Sequence, residues 1–182
     1  MNEYKSVMLI SPDKVKGFAV VGLNVDDSTL GNCIRLAHIH VKDVVGKELM
    51  DKLRLLVYNK IQGSGNTIDD EENIAYKVLL DEYMTPALAY GTAVEAAMVN
   101  ELKIRNMGVV KNSDTNVNQV TPGEYTRLAS YYKTYLNDAY NSMMEFLCEE
   151  KAAFVELPDG FCTCSSKPLY ANTNLWLGES KR

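Results

Sequence analysis

Apolar residues recur at three- and four-residue intervals through most of the chain, which is the spacing of one face of an α-helix. A first stripe follows a capping residue at Asp27 or Ser28 and consists of Leu30, Ile34, Ala37, Val41 and Val44 or Val45. Gly46 interrupts the pattern. A second stripe consists of Leu49, Leu53, Leu56 and Lys60 or Ile61. We therefore predict two consecutive helices, followed by a loop from Gly63 to Asp70.

A third helix is predicted to begin near the acidic run 69–72, because carboxylates suit the positive end of the helix dipole. Its apolar face is formed by Ile74, Val78, Leu79 and Tyr83. We expect a kink or break at Pro86, since proline removes a backbone donor and crowds the preceding turn. The segment 87–98 is rich in small residues, which let another helix approach closely. We predict that it lies at the centre of a bundle.

A fourth, long helix has the clearest start. Thr121 can cap it, Pro122 fits its first position, and Glu124 completes a capping box. Helical spacing then continues for about seven turns. The stripe consists of Tyr125, Leu128, Tyr132, Tyr135 or Leu136, Ala139, Met143 and Phe146 or Leu147. Since the tyrosines Tyr125, Tyr132 and Tyr135 fall on this stripe, core or subunit interface is the simpler interpretation than a stacking platform.

Three segments outside the helices complete the predicted architecture. Residues 102–111 alternate apolar and basic side chains around Asn106-Met107-Gly108, which favours a small β-hairpin. Residues 1–26 are predicted to be extended, with strand-like runs at 6–10 and 18–21. Residues 157–182 lack helical periodicity but carry aromatic and aliphatic anchors, which indicates an arm that docks on its own bundle or on a neighbour. The fold class is therefore mainly α: about four helices within 27–156, a hairpin and two extended arms.

The composition excludes some classes of protein. An apolar fraction of 46% and a charged fraction of 24% are typical of globular proteins. A net charge of −5 disfavours a general nucleic-acid binder. The sequence shows neither a secretory signal nor a membrane span, so we expect a protein made in a reducing cytoplasm. Its four cysteines suggest no disulfide framework, and Cys162 and Cys164 are interpreted as surface thiols rather than as zinc ligands.

The remaining polar constellations predict no catalytic, cofactor or metal site. His38 and His40 are two residues apart, so on a helix they point in different directions and are interpreted as one partly buried and one solvated histidine. The acidic run 69–72 lacks the oxygen spacing of a calcium loop. Phosphate-binding, nucleophile-elbow and zinc-helix motifs are missing from the sequence. The basic residues Lys103, Arg105 and Lys111 could contact DNA. A simpler interpretation is that they are solvated charges on the edge of the hairpin, which prevent aggregation.

The order of these segments resembles a known family. Leu79-Leu-Asp-Glu-Tyr-Met-Thr-Pro-Ala-Leu-Ala-Tyr90, then Ile104-Arg-Asn-Met-Gly-Val-Val110, a polar loop and a long helix resemble the head–tail connector (adaptor) proteins of tailed bacteriophages. The resemblance is to the version carried by crAss-like and related Bacteroidales phages, and it covers roughly residues 6 to 156. It implies a structural virion protein at the head–tail junction, with about twelve copies in a ring around the DNA conduit.

The resemblance also implies partners: the portal protein, the next tail or ring protein, and passing DNA through non-specific contact, without a membrane. From residue type, the expected contact residues are Lys103, Arg105, Met107, Val109, Lys111, Phe161, Tyr170, Asn172, Asn174, Leu175, Trp176 and Leu177. Two alternatives stay open. One is another helical virion component, such as a tail-completion or head-decoration protein. The other is a small enzyme or regulator whose site the sequence does not reveal.

Overall fold

The computed structural model describes residues 3–19, 27–105, 108–111 and 122–162, with side chains described in 3–19, 27–97 and 127–162. Within these ranges the helices are α1 (Pro12–Phe18), α2 (Asp27–Val45), α3 (Lys47–Gln62), α4 (Ile74–Val78), α5 (Thr85–Glu101) and α6 (Pro122–Glu149). Two short strands, β1 (Leu102–Arg105) and β2 (Gly108–Lys111), pair antiparallel, with Lys103 opposite Val110 and Arg105 opposite Gly108. The predicted mainly α class is confirmed.

Helix α5 is the central helix of the bundle and packs against α2, α6 and α1. From Ala87 to Ala97 every residue except Tyr90 is buried. Gly91 shows why small residues are needed, because an added Cβ would lie 3.3 Å from the Cβ of Ala37 on α2. The predicted position of this segment at the centre of the bundle is confirmed.

Helices α2 and α3 follow the predicted stripes. The buried residues of the two stripes are Leu30, Ile34, Ala37, Val41, Val45, Leu49, Leu53 and Leu56. Gly46 separates the two helices with a φ of 89°, a backbone conformation that favours glycine. Ile61, predicted on the second stripe, is exposed near the end of α3.

The expected disturbance at Pro86 takes the form of a π-helical segment, Leu79–Met84, between α4 and α5. In a π-helical segment the hydrogen-bonded turn is longer than in an α-helix. The longer turn lets the helix continue past Pro86, which has no backbone N–H to donate. The hydroxyl of Thr85 donates to the carbonyl oxygen of Leu80 at 2.8 Å and supports this transition. The predicted apolar face is wrong at Ile74, which is exposed, because α4 packs through Tyr76 instead.

The N-terminal region corrects the prediction of an extended segment. Residues 3–6 form a 3₁₀ turn and residues 12–18 form α1. The hydroxyl of Ser11 accepts a hydrogen bond from the N–H of Lys14 at 3.2 Å, and Pro12 takes the first helical position. Ser-Pro therefore starts a helix here rather than ending a strand. Residues 20–26 lie outside the described part of the chain.

The region after α6 corrects the prediction that Cys162 is a surface thiol. It also shows how the beginning of the predicted C-terminal arm packs on the bundle. Cys148 and Cys162 form a disulfide with a Cα–Cα distance of 5.5 Å, so Cys162 is not a surface thiol. A 3₁₀ turn at Lys151–Ala153 reverses the chain, and Phe154 and Leu157 are buried in the core. Packing of these apolar side chains back onto the bundle brings the two cysteines together. Cys164 lies outside the described residues.

Candidate interaction surface on helix α6

The buried polar groups of the bundle hold helices and segments together. His38 is buried, and its Nε2 accepts a hydrogen bond from the N–H of Leu9 at 3.0 Å. Nε2 is therefore unprotonated, and Nδ1–H donates to the carbonyl oxygen of Ile34 at 2.7 Å. Burial lowers the pKa of His38 to about 4, so the ring is neutral at physiological pH. It fixes the N-terminal segment to α2.

His40 lies against α5 rather than in solvent, which corrects the prediction of a solvated histidine. Its Nε2 lies 3.3 Å from Oε1 of Glu95, a residue 55 positions away whose side chain is buried. Burial, and then the Glu95 carboxylate, raise the pKa of the Cys33 thiol. A thiol held protonated in this way is a poor nucleophile. This cluster therefore links helix α2 to helix α5.

The acidic run 69–72 closes the loop between α3 and α4. Asp69 accepts from Lys60 at 2.8 Å and from Lys77 at 2.6 Å. These hydrogen bonds, Lys60 first, lower the pKa of Asp69. Asp70 accepts from the N–H of Thr67 at 2.7 Å. In the part of the chain that the structure describes, no group of three or more His, Cys, Asp or Glu is arranged to hold a metal ion.

The outer face of α6 is divided into an apolar half and an acidic half. The apolar half consists of Leu128, Tyr131 and Tyr135, which are 43%, 53% and 40% exposed. They are spaced three and four residues apart, so they form one continuous stripe. The acidic half consists of Asp138, Glu145 and Glu149, which are exposed on the same side of the helix. We call the two halves together the outer stripe of α6.

Ring contacts fix the tyrosines of the outer stripe relative to each other. The ring of Tyr135 stacks on that of Tyr90 from α5, with centroids 5.4 Å apart and planes at 29°. Tyr131 lies 4.8 Å from Tyr135, centroid to centroid. A side-chain hydrogen bond with Tyr135 raises the pKa of Tyr131. These contacts favour one arrangement of the exposed rings, and such preorganisation lowers the entropic cost of binding.

Of the predicted alternatives, core or subunit interface, Tyr132 takes the core, and the exposed Tyr135 is left with the interface as a prediction. Tyr132 is buried with Leu136, Tyr140, Met143 and Leu147, whereas Tyr135 lies on the outer stripe. Tyr125 belongs to α6, but its side chain is outside the described set. The helix begins at Pro122, as predicted.

Of the twelve predicted contact residues, Phe161 is the one whose side chain is described. It is partly buried against the core, and its N–H donates to the carbonyl oxygen of Pro158 at 3.0 Å. Lys103, Arg105, Val109 and Lys111 lie in β1 and β2, where the backbone is described. The others lie outside the described residues: Met107, Tyr170, Asn172, Asn174, Leu175, Trp176 and Leu177.

The sequence profile of a family described as a family of unknown function (DUF6712) matches residues 41–166, which is most of the chain. The chain therefore belongs to that family. The match runs from the second half of α2 through α6 and the disulfide. No curated protein and no solved structure matches the chain.

Among the described residues, no helix combines the length and the apolar character needed to cross a membrane.

Proposed function

We propose that this protein is a non-enzymatic assembly subunit, whose copies form a ring at the head–tail junction of a tailed bacteriophage. The observation that carries the proposal is the apolar half of the outer stripe of α6. Leu128, Tyr131 and Tyr135 expose large side chains in one row. Contiguous exposed apolar patches mark interaction sites, and tyrosine is enriched in such surfaces.

A second exposed patch lies on a different helix. Leu36 and Ile39 are exposed on α2, next to the exposed Arg35. A ring of identical subunits needs two different surfaces on each subunit, because each copy contacts one neighbour with one surface and the other neighbour with the second. The stripe of α6 and the patch on α2 meet this requirement. The acidic half of the α6 stripe also suits Arg35 of the next copy.

The hairpin is the contact element that we assign to the portal or to the next tail protein. It follows α5 without an intervening loop, since β1 begins at the residue after the helix ends. A two-stranded hairpin is marginally stable alone, so contact with a neighbour would stabilise it. Lys103, Arg105 and Lys111 would give the lumen its few positive charges for passing DNA.

The described ionisable groups support an architectural role. His38 and His40 bridge separate segments, and the Cys33 thiol is buried with a raised pKa. The buried Cys33 thiol therefore lacks the accessible position and lowered pKa that nucleophilic catalysis by cysteine needs.

The experiment is light scattering on the purified protein, alone and mixed with the portal protein of the same phage, with negative-stain images of the complex. We expect ring-shaped particles with a fixed, high subunit ratio. The variant Tyr131→Ser/Tyr135→Ser should lose them. Leu55→Ser is the matched control, because Leu55 is an exposed apolar residue on α3. A wild-type protein that stays monomeric with and without portal would contradict the proposal.

A further inference from the structure

The outer stripe of α6 lies next to the point where the chain leaves the described structure. The disulfide joins Cys162 to Cys148, one residue before the end of α6. Residues 163–182 therefore start beside the acidic half of the stripe. A segment attached at this position encounters its own α6 at a high effective concentration.

The charges of the two surfaces are complementary. Residues 163–182 contain Lys167, Lys181 and Arg182 against the single acid Glu179. The C-terminal half of α6 exposes Asp138, Glu145 and Glu149, and the sequence has no Lys or Arg between Lys133 and Lys151. Lys167, the basic residue nearest to Cys162, is the one that would run beside this acidic half and be attracted to it.

The order of residue types is also complementary. Starting from Cys162, the segment presents Lys167 first and its apolar residues afterwards, namely Leu169, Tyr170, Leu175, Trp176 and Leu177. Starting from Cys148 and moving towards the beginning of α6, the stripe presents its acids first and its apolar half afterwards. An antiparallel arrangement therefore matches charge with charge and apolar surface with apolar surface.

The distances allow this arrangement. Tyr131 lies 17 residues before Cys148 on α6, which corresponds to about 26 Å of helix. Trp176 lies 14 residues after Cys162, and an extended chain of that length spans about 45 Å. The segment can therefore bring its tryptophan to the tyrosines of the stripe with length to spare.

We propose that residues 163–182 dock along the outer stripe of α6 in their own subunit, with Trp176 on Tyr131 and Tyr135 and Lys167 beside Glu145 and Glu149. The segment then covers, in the free subunit, the surface that a neighbouring copy uses in the ring. That regulatory meaning rests on the proposed function, whereas the docking itself is tested on the isolated chain. Assembly displaces the segment, which leaves it available to other components.

Trp176 is the chain's single tryptophan and reports directly on the docking. In the purified monomer we expect blue-shifted emission and weak quenching by acrylamide. In Tyr131→Ser/Tyr135→Ser the emission should shift to the red, and the quenching constant should rise about two-fold, because the indole loses an apolar contact and meets water. Leu55→Ser should match the wild type. Far-UV circular dichroism verifies that each variant is folded.

A second pair of variants keeps the test open if the tyrosine variant does not fold. Glu145→Lys/Glu149→Lys reverses two exposed charges of the stripe, and it should also shift the emission to the red, as high salt should do in the wild type by screening the same attraction. The proposal is wrong if the wild type and both variants share one red-shifted spectrum. It is equally wrong if the blue shift appears only as protein concentration rises, because the contact would then be between subunits. Failure to form rings leaves these spectra unchanged, so the two proposals can fail separately.

Discussion

Helix α6 carries aromatic side chains along its whole length, yet its two halves place them in opposite environments. In the first half Tyr131 and Tyr135 are exposed beside Tyr90. In the second half the ring of Phe146 stacks on Tyr83 with centroids 4.4 Å apart, and it lies 6.0 Å from Phe154. The same kind of residue at the same spacing therefore forms a surface at one end and a core at the other.

The segment after α6 causes this difference. Its 3₁₀ turn returns the chain to the bundle, and the rings of Phe154 and Tyr76 lie nearly perpendicular, with centroids 5.2 Å apart. The hydroxyl of Tyr76 donates to Glu156 at 2.8 Å and holds the returning segment on α4. Residues 150–162 thus close the second half. The described residues that flank the first half leave the outer stripe open.

Phe154→Ala should produce the largest change in stability. Phe154 is fully buried between Tyr76 and Phe146, so its loss removes apolar contacts and leaves a cavity. We expect the free energy of unfolding to fall by about 3 to 5 kcal/mol, measured by urea denaturation. The neighbouring Val155→Ala is the control, because Val155 is 85% exposed and should change stability by less than about 0.5 kcal/mol. Similar values for both variants would show that the second half is not closed in this way.

Acid should weaken the bundle through the buried His38 on α2. The folded state holds the pKa of His38 at about 4, whereas the unfolded chain has the ordinary value of 6.5. Stability from this group is complete above pH 6.5, decreases as the pH falls towards 4, and changes no further below that. The loss amounts to about 3 kcal/mol. Because carboxylates also titrate in this range, the measured quantity is the difference between wild type and His38→Gln. Parallel pH profiles of the two proteins would contradict this assignment.

Removing the disulfide should have a somewhat smaller effect. The bond between Cys148 and Cys162 closes a short loop, with a sequence separation of 14, and limits the unfolded chain. We expect Cys148→Ser/Cys162→Ser to lose about 2 to 3 kcal/mol in urea denaturation. Dithiothreitol should give the wild type the same loss and leave the double variant unchanged. If dithiothreitol does not alter the wild type, the second half of α6 is closed by packing alone.

Much of the bundle could be predicted from the sequence because the helical stripes of α2 and α3 are regular and end at Gly46 and Gly63. The start of α6 was predictable from Pro122. The same cap-and-proline signal occurs at Ser11 and Pro12, but the short apolar run before it favoured a strand. Helix α1 was therefore missed although its signal was present.

The features that the sequence did not predict depend on contacts between distant residues. His40 and Glu95 are 55 positions apart, and their pairing follows from the close approach of α2 and α5. The disulfide depends on the turn after α6, which brings Cys162 back to the helix. Tyrosine adds a further ambiguity, because its ring suits a core and its hydroxyl suits water. Periodicity alone could not decide between Tyr132 and Tyr135.

Tyr135→Ala, in the open half of α6, should change stability less than the changes at Phe154, His38 or the disulfide. Tyr135 loses its stacking on Tyr90 but little buried area, so the free energy of unfolding should fall by less than about 1 kcal/mol. The same substitution should strongly reduce the fraction of protein found in rings by light scattering with portal, since an aromatic residue at the centre of a contact contributes much of its binding energy.

Tyr83→Ala is the matched variant, because Tyr83 makes the corresponding stack on Phe146 in the closed half. It should show the opposite profile, with a larger loss of stability and normal assembly of the protein that remains folded. Equal losses of stability in the two variants, with assembly unaffected in both, would mean that the two halves of α6 have the same structural role.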